Sequence, residues 1–184
     1  MSFWTNPNVT PKRNFRFLVQ ITALGENGDQ SVLWWAKTAK TPSFSLAETT
    51  HAYLDNTFKF PGRVTWDDVN ISLVDPVSPD ATKLTMQVLE RSNYKVKGLS
   101  DNQITVSKAK AATALGNVVI TILSDDGDAV ETWTLNNPFI KSVSFSDLSY
   151  EDDGLRAIDL TFAYDWATCE TADGTAFNAK PGAT

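Results

Sequence analysis

The sequence predicts a mainly β fold: a small β-sandwich or barrel with one flanking α-helix at about residues 79–94 and a long protruding hairpin. Apolar and polar residues alternate in several stretches, which is typical of strands with one buried face. Phe, Trp and Tyr make up 11% of the residues, and aromatic side chains are enriched in strands. One stretch has apolar residues at helical spacing, which accounts for the helix.

The chain of 184 residues is long enough for one domain with a substantial core. Residues 1–13 are polar and lack periodicity, so they are expected to form an extended N-terminal arm. Residues 169–184 are rich in Gly, Ala and Thr, which predicts a flexible C-terminal tail. A single β-sandwich domain is expected to span residues 14–168.

Residues 60–76 contain a predicted strand that serves as the reference for the order of the other elements. Alternation from Trp66 onwards puts Val69, Ile71 and Leu73 on one face, which predicts a half-buried strand. Two strands are predicted before it, at residues 15–22 and at about residues 31–39.

Trp34 and Trp35 are adjacent in the second of these strands, so their side chains must point in opposite directions. One indole is expected in the core and the other at a surface or an interface.

Residues 43–60 predict the long hairpin, with its tip near residues 49–51 or, alternatively, with two shorter strands and a second turn at residues 55–56. Long exposed strand edges recruit other chains and are normally suppressed. A long strand edge with apolar side chains indicates one of two arrangements. Either the hairpin binds another chain, or it folds back on its own barrel. The candidate inter-subunit contact residues are Phe44, Leu46, His51, Tyr53, Leu54, Phe58 and, in the N-terminal arm, Trp4.

The helix is predicted to start with Ser78 as its N-cap and Pro79 at its first position, and to end near Tyr94. Residues 95–113 have weak periodicity and predict a long loop, and loops of this length are usually functional or mobile.

The last third predicts two more hairpins, one from residues 117–123 and 129–135 and one from residues 139–145 and 155–166. The strand at residues 155–166 has the most regular alternation in the chain. The candidate core residues, taken from all these strands, are Phe17, Val19, Trp66, Ile71, Trp133, Phe162 and Tyr164.

The net charge of −6 is unevenly distributed: residues 1–63 carry +3, residues 64–113 are neutral and residues 114–184 carry −9. One explanation of this distribution is that the acidic residues lie in solvent-exposed turns. The other is that one end of the molecule docks onto the opposite end of an identical neighbour, since complementary charge orients head-to-tail contacts. The acidic balance disfavours a groove-binding nucleic-acid module.

No constellation of residues predicts catalysis, a metal site or a cofactor. The only histidine, His51, and the only cysteine, Cys169, have no third partner at a recognisable spacing. Asp67 and Asp68 are adjacent in a predicted strand, so their carboxylates would diverge rather than flank a glycosidic bond. We therefore expect that the protein is not an enzyme.

The sequence also lacks an apolar run long enough for a transmembrane helix and a signal-peptide pattern at its start. Folding in a reducing cytoplasm, without secretion, is expected for a chain with one cysteine.

Several segments resemble, in their order and spacing, the tail tube proteins of contractile-tailed bacteriophages. They are FRFLVQI at residues 15–21, AKTPSF at 39–44, FPGRVTWDDV at 60–69 and WTLNNPFI at 133–140. The paired strands that follow, at residues 142–145 and 158–165, also resemble those of the tail tube proteins.

The resemblance implies a structural virion protein in which six copies form a ring, joined inner sheets line a pore, and rings stack helically into the inner tail tube. The hairpin would reach a neighbouring ring. A sheath protein, a baseplate tube-initiator and a tape-measure protein would be partners, with assembly in the host cytoplasm. Phage DNA would pass through the lumen during ejection without specific binding, and an acidic wall would let it slide.

Related alternatives are the tube of a phage-derived injection particle, that of a type VI secretion device, and a tube-initiating baseplate protein. An alternative of another class is a β-sandwich carbohydrate-binding module with Trp35 and Trp66 as exposed sugar platforms. This alternative predicts a monomer that binds glycan.

Overall fold

The structure is a computed structural model that describes residues 10–24, 33–94, 105–151 and 153–178. The fold is mainly β, as predicted. The strands are β1 (Phe17–Ile21), β2 (Ala36–Ala39), β3 (Phe44–Tyr53), β4 (Asn56–Trp66), β5 (Val69–Val74), β6 (Val118–Leu123), β7 (Ala129–Asn136), β8 (Phe139–Phe145), β9 (Ala157–Ala163), β10 (Trp166–Thr171) and β11 (Ala176–Phe177). The helices are α1 (Ala81–Arg91) and α2 (Lys108–Leu115).

Two antiparallel sheets form the body of the domain. The first has the strand order β1-β6-β7-β10-β11, and the second has the order β2-β5-β9-β8. The predicted hairpins are present as β6–β7 and β8–β9. The strands β3 and β4 pair with each other in a separate two-stranded sheet.

The two sheets share one hydrophobic core, which is the arrangement of a β-sandwich. Its fully buried strand residues are Val19 and Ile21 from β1, Val69, Ile71 and Leu73 from β5, Val118 and Ile120 from β6, Leu135 from β7, Ile158, Leu160 and Phe162 from β9, and Ala167 from β10. Strict alternation of buried residues in β5 and β9 follows because one face of each strand is covered.

The candidate core residues all lie in or against this cluster. Val19, Ile71 and Phe162 are fully buried. Partly buried residues packed against the cluster include Phe17, Trp66, Trp133 and Tyr164.

Trp34 is 73% exposed and Trp35 only 4% exposed, so one indole points to solvent and the other into the core. The strand predicted around them is shorter than expected, because regular pairing with β5 begins only at Ala36. Residues 31–32 of that prediction lie outside the described residues.

The strand predicted to continue through Trp166 ends earlier, and that prediction is wrong. The chain turns at Asp165, whose carboxylate accepts hydrogen bonds from Lys108 Nζ and, at 2.9 Å, from Asn137 Nδ2. These hydrogen bonds lower the pKa of Asp165, so the carboxylate stays charged at neutral pH. Trp166 then starts β10 in the other sheet.

Helix α1 begins two residues later than predicted, because Asp80 rather than Ser78 is its N-cap. The Asp80 carboxylate accepts a hydrogen bond of 2.9 Å from the backbone N–H of Lys83. A carboxylate there satisfies a free amide and also favours the positive end of the helix. The helix ends at Arg91, before the predicted Tyr94.

A second helix, α2, replaces part of the predicted loop at residues 95–113. Ser107 caps its N-terminus and Gly116 follows its C-terminus, while Ala111 and Leu115 face the interior. The prediction of a loop through residue 113 is therefore wrong from Lys108 onwards, while residues 105–107 precede the helix without regular structure. Residues 95–104 lie outside the described residues.

Gly116 adopts a φ of 72°, and a Cβ atom there would lie 2.8 Å from Cβ of Thr22. Gly116→Ala is expected to lower the free energy of unfolding by about 2–3 kcal/mol, through backbone strain and overpacking together. Gly127→Ala is the matched control, since Gly127 has a φ of 89° with no neighbouring atom within 4 Å and should lose only about 1 kcal/mol. If urea unfolding gave the same loss of free energy for both variants, the close approach of Gly116 to Thr22 would be contradicted.

The first sheet continues beyond residue 168, where the sequence predicted a flexible tail to begin. Strand β10 runs to Thr171, and β11 pairs Phe177 with Cys169. Residues 1–9 of the predicted arm and residues 179–184 of the predicted tail lie outside the described residues.

Candidate assembly surface

The β3–β4 hairpin is an arm whose residues are all exposed except Trp66 at its base. Its turn lies at Leu54 and Asp55, so the tip predicted near residues 49–51 is wrong. The alternative turn, predicted at residues 55–56, lies one residue from the observed position. The arms are also longer than the predicted residues 43–60, because β4 continues to Trp66.

A β-bulge divides the hairpin into a base and a distal part. The pairing shifts between Leu46–Val64 and Glu48–Pro61, so β4 contains one residue more than β3. Gly62 lies at this position, where a Cβ atom would approach the carbonyl oxygen of Ala47 to 3.0 Å. Any other residue would require a small shift of the backbone at Ala47.

The distal part has two chemically different faces, because residues directly opposite each other share a face. Phe60 pairs with Thr49, Phe58 with His51, and Tyr53 with Asn56. We call the surface formed by Tyr53, Phe58 and Phe60 the aromatic face; these side chains are 63%, 52% and 55% exposed.

The opposite, polar face carries Glu48, Thr50, Ala52, Thr57 and Lys59. The ammonium of Lys59 lies 3.2 Å from the carboxylate of Glu48, and both side chains are exposed, so this ion pair contributes little to stability. The hairpin is therefore amphipathic, and the rings of its aromatic face make no ring–ring contact within the described residues.

Four aromatic rings hold the base of the hairpin against the body. Phe44 lies 5.1 Å from Trp66 and 6.2 Å from Phe177 between ring centroids, and Trp66 lies 6.0 Å from Tyr164. Aromatic pairs at these separations add to the free energy gained from burial. We call these four residues the base cluster.

The predicted contact residues therefore occupy three different places. Tyr53, Phe58 and His51 lie on the distal side of the aromatic face, and Leu54 lies at the tip with 85% exposure. Phe44 belongs to the base cluster and Leu46 lies beside it, 58% exposed. Trp4 lies outside the described residues.

Phe177 is the base-cluster residue that the sequence analysis missed. It was assigned to the flexible tail, although it is the one aromatic residue among polar and small neighbours there. Its contact with Phe44 fixes the hairpin from the side of β11.

The hydroxyl of Tyr164 is buried and finds no hydrogen-bond partner among the described residues. Burial, and then the negative charges of Asp67 and Asp68, raise the pKa of Tyr164 to about 12. The folded state therefore disfavours the phenolate. This contribution to stability is complete below the unfolded pKa of about 10 and is lost as the pH rises through about 12.

Tyr164→Phe is therefore expected to leave the free energy of unfolding at pH 7 unchanged or slightly higher, because an unpartnered buried hydroxyl is costly. The variant should also lose less stability than the wild type between pH 9 and pH 12. Urea unfolding at both ends of this range measures the difference, with the exposed Tyr94→Phe as control. A pH dependence identical to that of the wild type would contradict the assignment.

Among the residues that the structure describes, His51, Cys169, Asp67 and Asp68 form no catalytic pair. Cys169 is buried in β10, where burial and the charge of Glu131 raise the pKa of its thiol. His51 lies seven residues beyond Phe44 along β3, roughly 23 Å at the rise of a strand. Asp67 accepts a hydrogen bond of 2.9 Å from Ser43, while Asp68 pairs with Lys141.

Within the described ranges, no group of three or more His, Cys, Asp or Glu side chains could hold a metal ion. In the same part of the chain, no helix is long and apolar enough to span a membrane.

The two tryptophans proposed as sugar platforms are not available for stacking. Trp35 is 4% exposed in the core, and Trp66 is half-buried in the base cluster. The expectation of exposed platforms at these positions is wrong.

No protein-family model matches the sequence, and no curated protein matches it. Solved structures do match. A chain in the anti-feeding prophage baseplate, 6-fold symmetrised, is similar with a TM-score of 0.66 and 17% identity, over 89% of this chain and 97% of that one. A chain in the anti-feeding prophage cap, which terminates the tube, is similar with a TM-score of 0.63 and 17% identity, over 89% of this chain and 93% of that one.

A chain in the extended sheath–tube complex of the extracellular contractile injection system PVC gives a TM-score of 0.57 and 19% identity, over 88% of this chain and 93% of that one. None of these three structures is described as an enzyme. The matches span nearly the whole of both chains in each case. The chain thus has the fold of these baseplate, cap and sheath–tube components of contractile particles.

Proposed function

We propose that this chain is a structural tube protein of a contractile particle, in which six copies form a ring and rings stack into a hollow inner tube. The observation that carries the proposal is the β3–β4 hairpin, a protruding arm with exposed aromatic side chains on one face. Such a surface favours contact with another chain. The fold shared with components of contractile particles supports the same function.

Ring closure would use the sheet β2-β5-β9-β8, whose outer strands β2 and β8 each pair on one side only within the described residues. Pairing β2 of one copy with β8 of the next would continue the sheet around the ring. The other sheet packs on one face of this sheet. That bulk fits better on the outside of a ring, where the circumference is larger, so the other face would line the lumen.

The lumen face would be formed mainly by small uncharged side chains. Outward positions of β5 and β9 include Asn70, Ser72 and Thr161. The charged residues of the four strands are one carboxylate, Asp159, and two exposed lysines, Lys37 and Lys141. This composition favours a nearly neutral wall over the acidic wall expected from the sequence. A wall with few charges would also offer few contacts to a passing polymer.

Two kinds of particle can use such a tube. In a phage tail, genomic DNA would pass through the lumen during ejection. In a phage-derived injection particle the cargo would differ, and the similarity to components of the anti-feeding prophage and of PVC favours this second candidate. Nuclease-resistant DNA in isolated particles would support the phage tail, and protein cargo without DNA would support the injection particle.

The partners of such a tube would be further copies of this chain, a sheath protein, a baseplate tube-initiator and a tape-measure protein. Assembly would take place in the cytoplasm of the producing cell. A single domain flanked by a short N-terminal arm and a C-terminal tail remains the proposed organisation.

Negative-stain electron microscopy of the purified protein at high concentration, together with light scattering, tests the proposal. Hollow rings or tubes with a central channel are expected. Monomers at every concentration would contradict it, and a glycan array would then test the carbohydrate-binding alternative.

A further inference from the structure

A second exposed apolar surface lies in the loop between β8 and β9. Leu148, Tyr150 and Leu155 are almost fully exposed there, and with Arg156 they line an open cavity of about 430 Å³. We call these three apolar residues and the cavity the loop cradle. Apolar side chains concentrated in one surface loop favour an interaction site.

The loop cradle and the hairpin lie at opposite ends of the same sheet. Residue Val69, next to the hairpin base, pairs with Phe162, whereas Val74 pairs with Ala157, next to the loop cradle. The six residues of β5 separate the two ends by roughly 17 Å. The hairpin leaves from the end remote from the cradle, so it is poorly placed to fill the cradle of its own chain.

The hairpin tip matches the cradle in size and polarity. Leu54 at the turn is 85% exposed, and Tyr53 beside it is 63% exposed. A cavity of about 150 Å³ holds one benzene ring, so a cradle of about 430 Å³ has room for both side chains. Burying exposed leucine and tyrosine together would remove apolar surface from water on both sides of the contact.

One oppositely charged pair is available at this contact. Asp55 is the acidic residue of the hairpin turn, and Arg156 is the basic residue that lines the cavity. Arg156 already pairs with Asp75 at 3.3 Å, which holds its guanidinium at the cradle. Asp147 also lines the cavity and would repel Asp55, so Asp55 is expected to lie beside Arg156.

We propose that the hairpin tip of one copy occupies the loop cradle of a second copy, which deepens and rests on the proposed tube function. The contact is head-to-tail, because the two surfaces differ and lie at opposite ends of each domain. Each added copy leaves a free tip at one end and a free cradle at the other, so the contact continues from ring to ring.

Disulfide trapping in assembled tubes tests the contact. In a Cys169→Ser background, the test protein carries Leu54→Cys and Leu148→Cys, and the matched control carries Leu54→Cys and Thr132→Cys, on β7 of the other sheet. After oxidation, the test protein is expected to run as a ladder of trimers and larger species on a non-reducing gel. The control should show at least tenfold less of these species.

A separate variant tests the same contact without cysteines. Leu155→Asp should abolish tubes while leaving thermal unfolding of the monomer unchanged, because Leu155 is 78% exposed.

Tubes of the test protein without a ladder, or equal ladders in test and control, would overturn the contact and leave the proposed function standing. Wild-type protein that forms neither rings nor tubes would overturn both.

Discussion

Phe162→Ala is expected to lower the free energy of unfolding by about 3–5 kcal/mol, the usual cost of removing a fully buried phenylalanine. Phe162 has no exposed surface and lies in β9 opposite Val69 of β5 and Ile140 of β8. Loss of the ring would open a cavity in the core between the two sheets. Since small domains are stable by only about 5–15 kcal/mol, much of the variant should be unfolded at 37 °C.

The matched control is Asp159→Ala, three positions earlier on the opposite, exposed face of the same strand. It should change the free energy of unfolding by no more than about 0.5 kcal/mol. Urea unfolding followed by tryptophan fluorescence measures both variants. A loss below about 1 kcal/mol for Phe162→Ala would mean that the faces of β9 are reversed.

The strands with one covered face could be predicted from the sequence because burial leaves a period of two in their residues. The strands β5 and β9 both contain this pattern, which predicts Ile71 and Phe162 in the core, and both side chains are fully buried. The same period of two continues through Trp166, so it does not predict the turn at Asp165. That turn takes the chain into β10, which pairs with β7 of the other sheet, so it depends on residues distant in sequence and no local pattern contains it.

Helix α2 was missed for a different reason. Lysine and alanine alternate in residues 108–111 without a clear apolar stripe, so the periodicity is weak. The signals at its ends were present, since Ser107 is a favoured N-cap and Gly116 follows the last turn. Giving end signals more weight than periodicity would have found this helix.

The hairpin could be located from its apolar residues, but its two faces could not be assigned. A shift of one residue moves every side chain of a strand to the other face. The turn at Leu54 and the bulge at Gly62 together determine which residues oppose each other. The predicted contact set therefore mixed Phe44 of the base cluster with Phe58 of the aromatic face.

Removing the distal hairpin is expected to abolish tubes while leaving the domain folded. The variant replaces residues 48–61 by a two-residue Asn-Gly turn and keeps the base cluster. The deleted residues are all exposed, and the buried core includes none of them, so the free energy of unfolding should change little. Electron microscopy and circular dichroism together measure tube formation and folding.

Two double substitutions then separate the faces of the hairpin without shortening it. Phe58→Ser with Phe60→Ser removes most of the aromatic face, while Thr50→Ser with Thr57→Ser changes only the polar face. We expect the first pair to abolish tubes and the second to preserve them, because burial of two phenylalanines contributes several kcal/mol to each contact between copies. Tubes of normal length from the shortened variant or from the phenylalanine double variant would refute a role of the hairpin in stacking. Loss of tubes in both double variants alike would instead assign that role to the hairpin as a whole and not to its aromatic face.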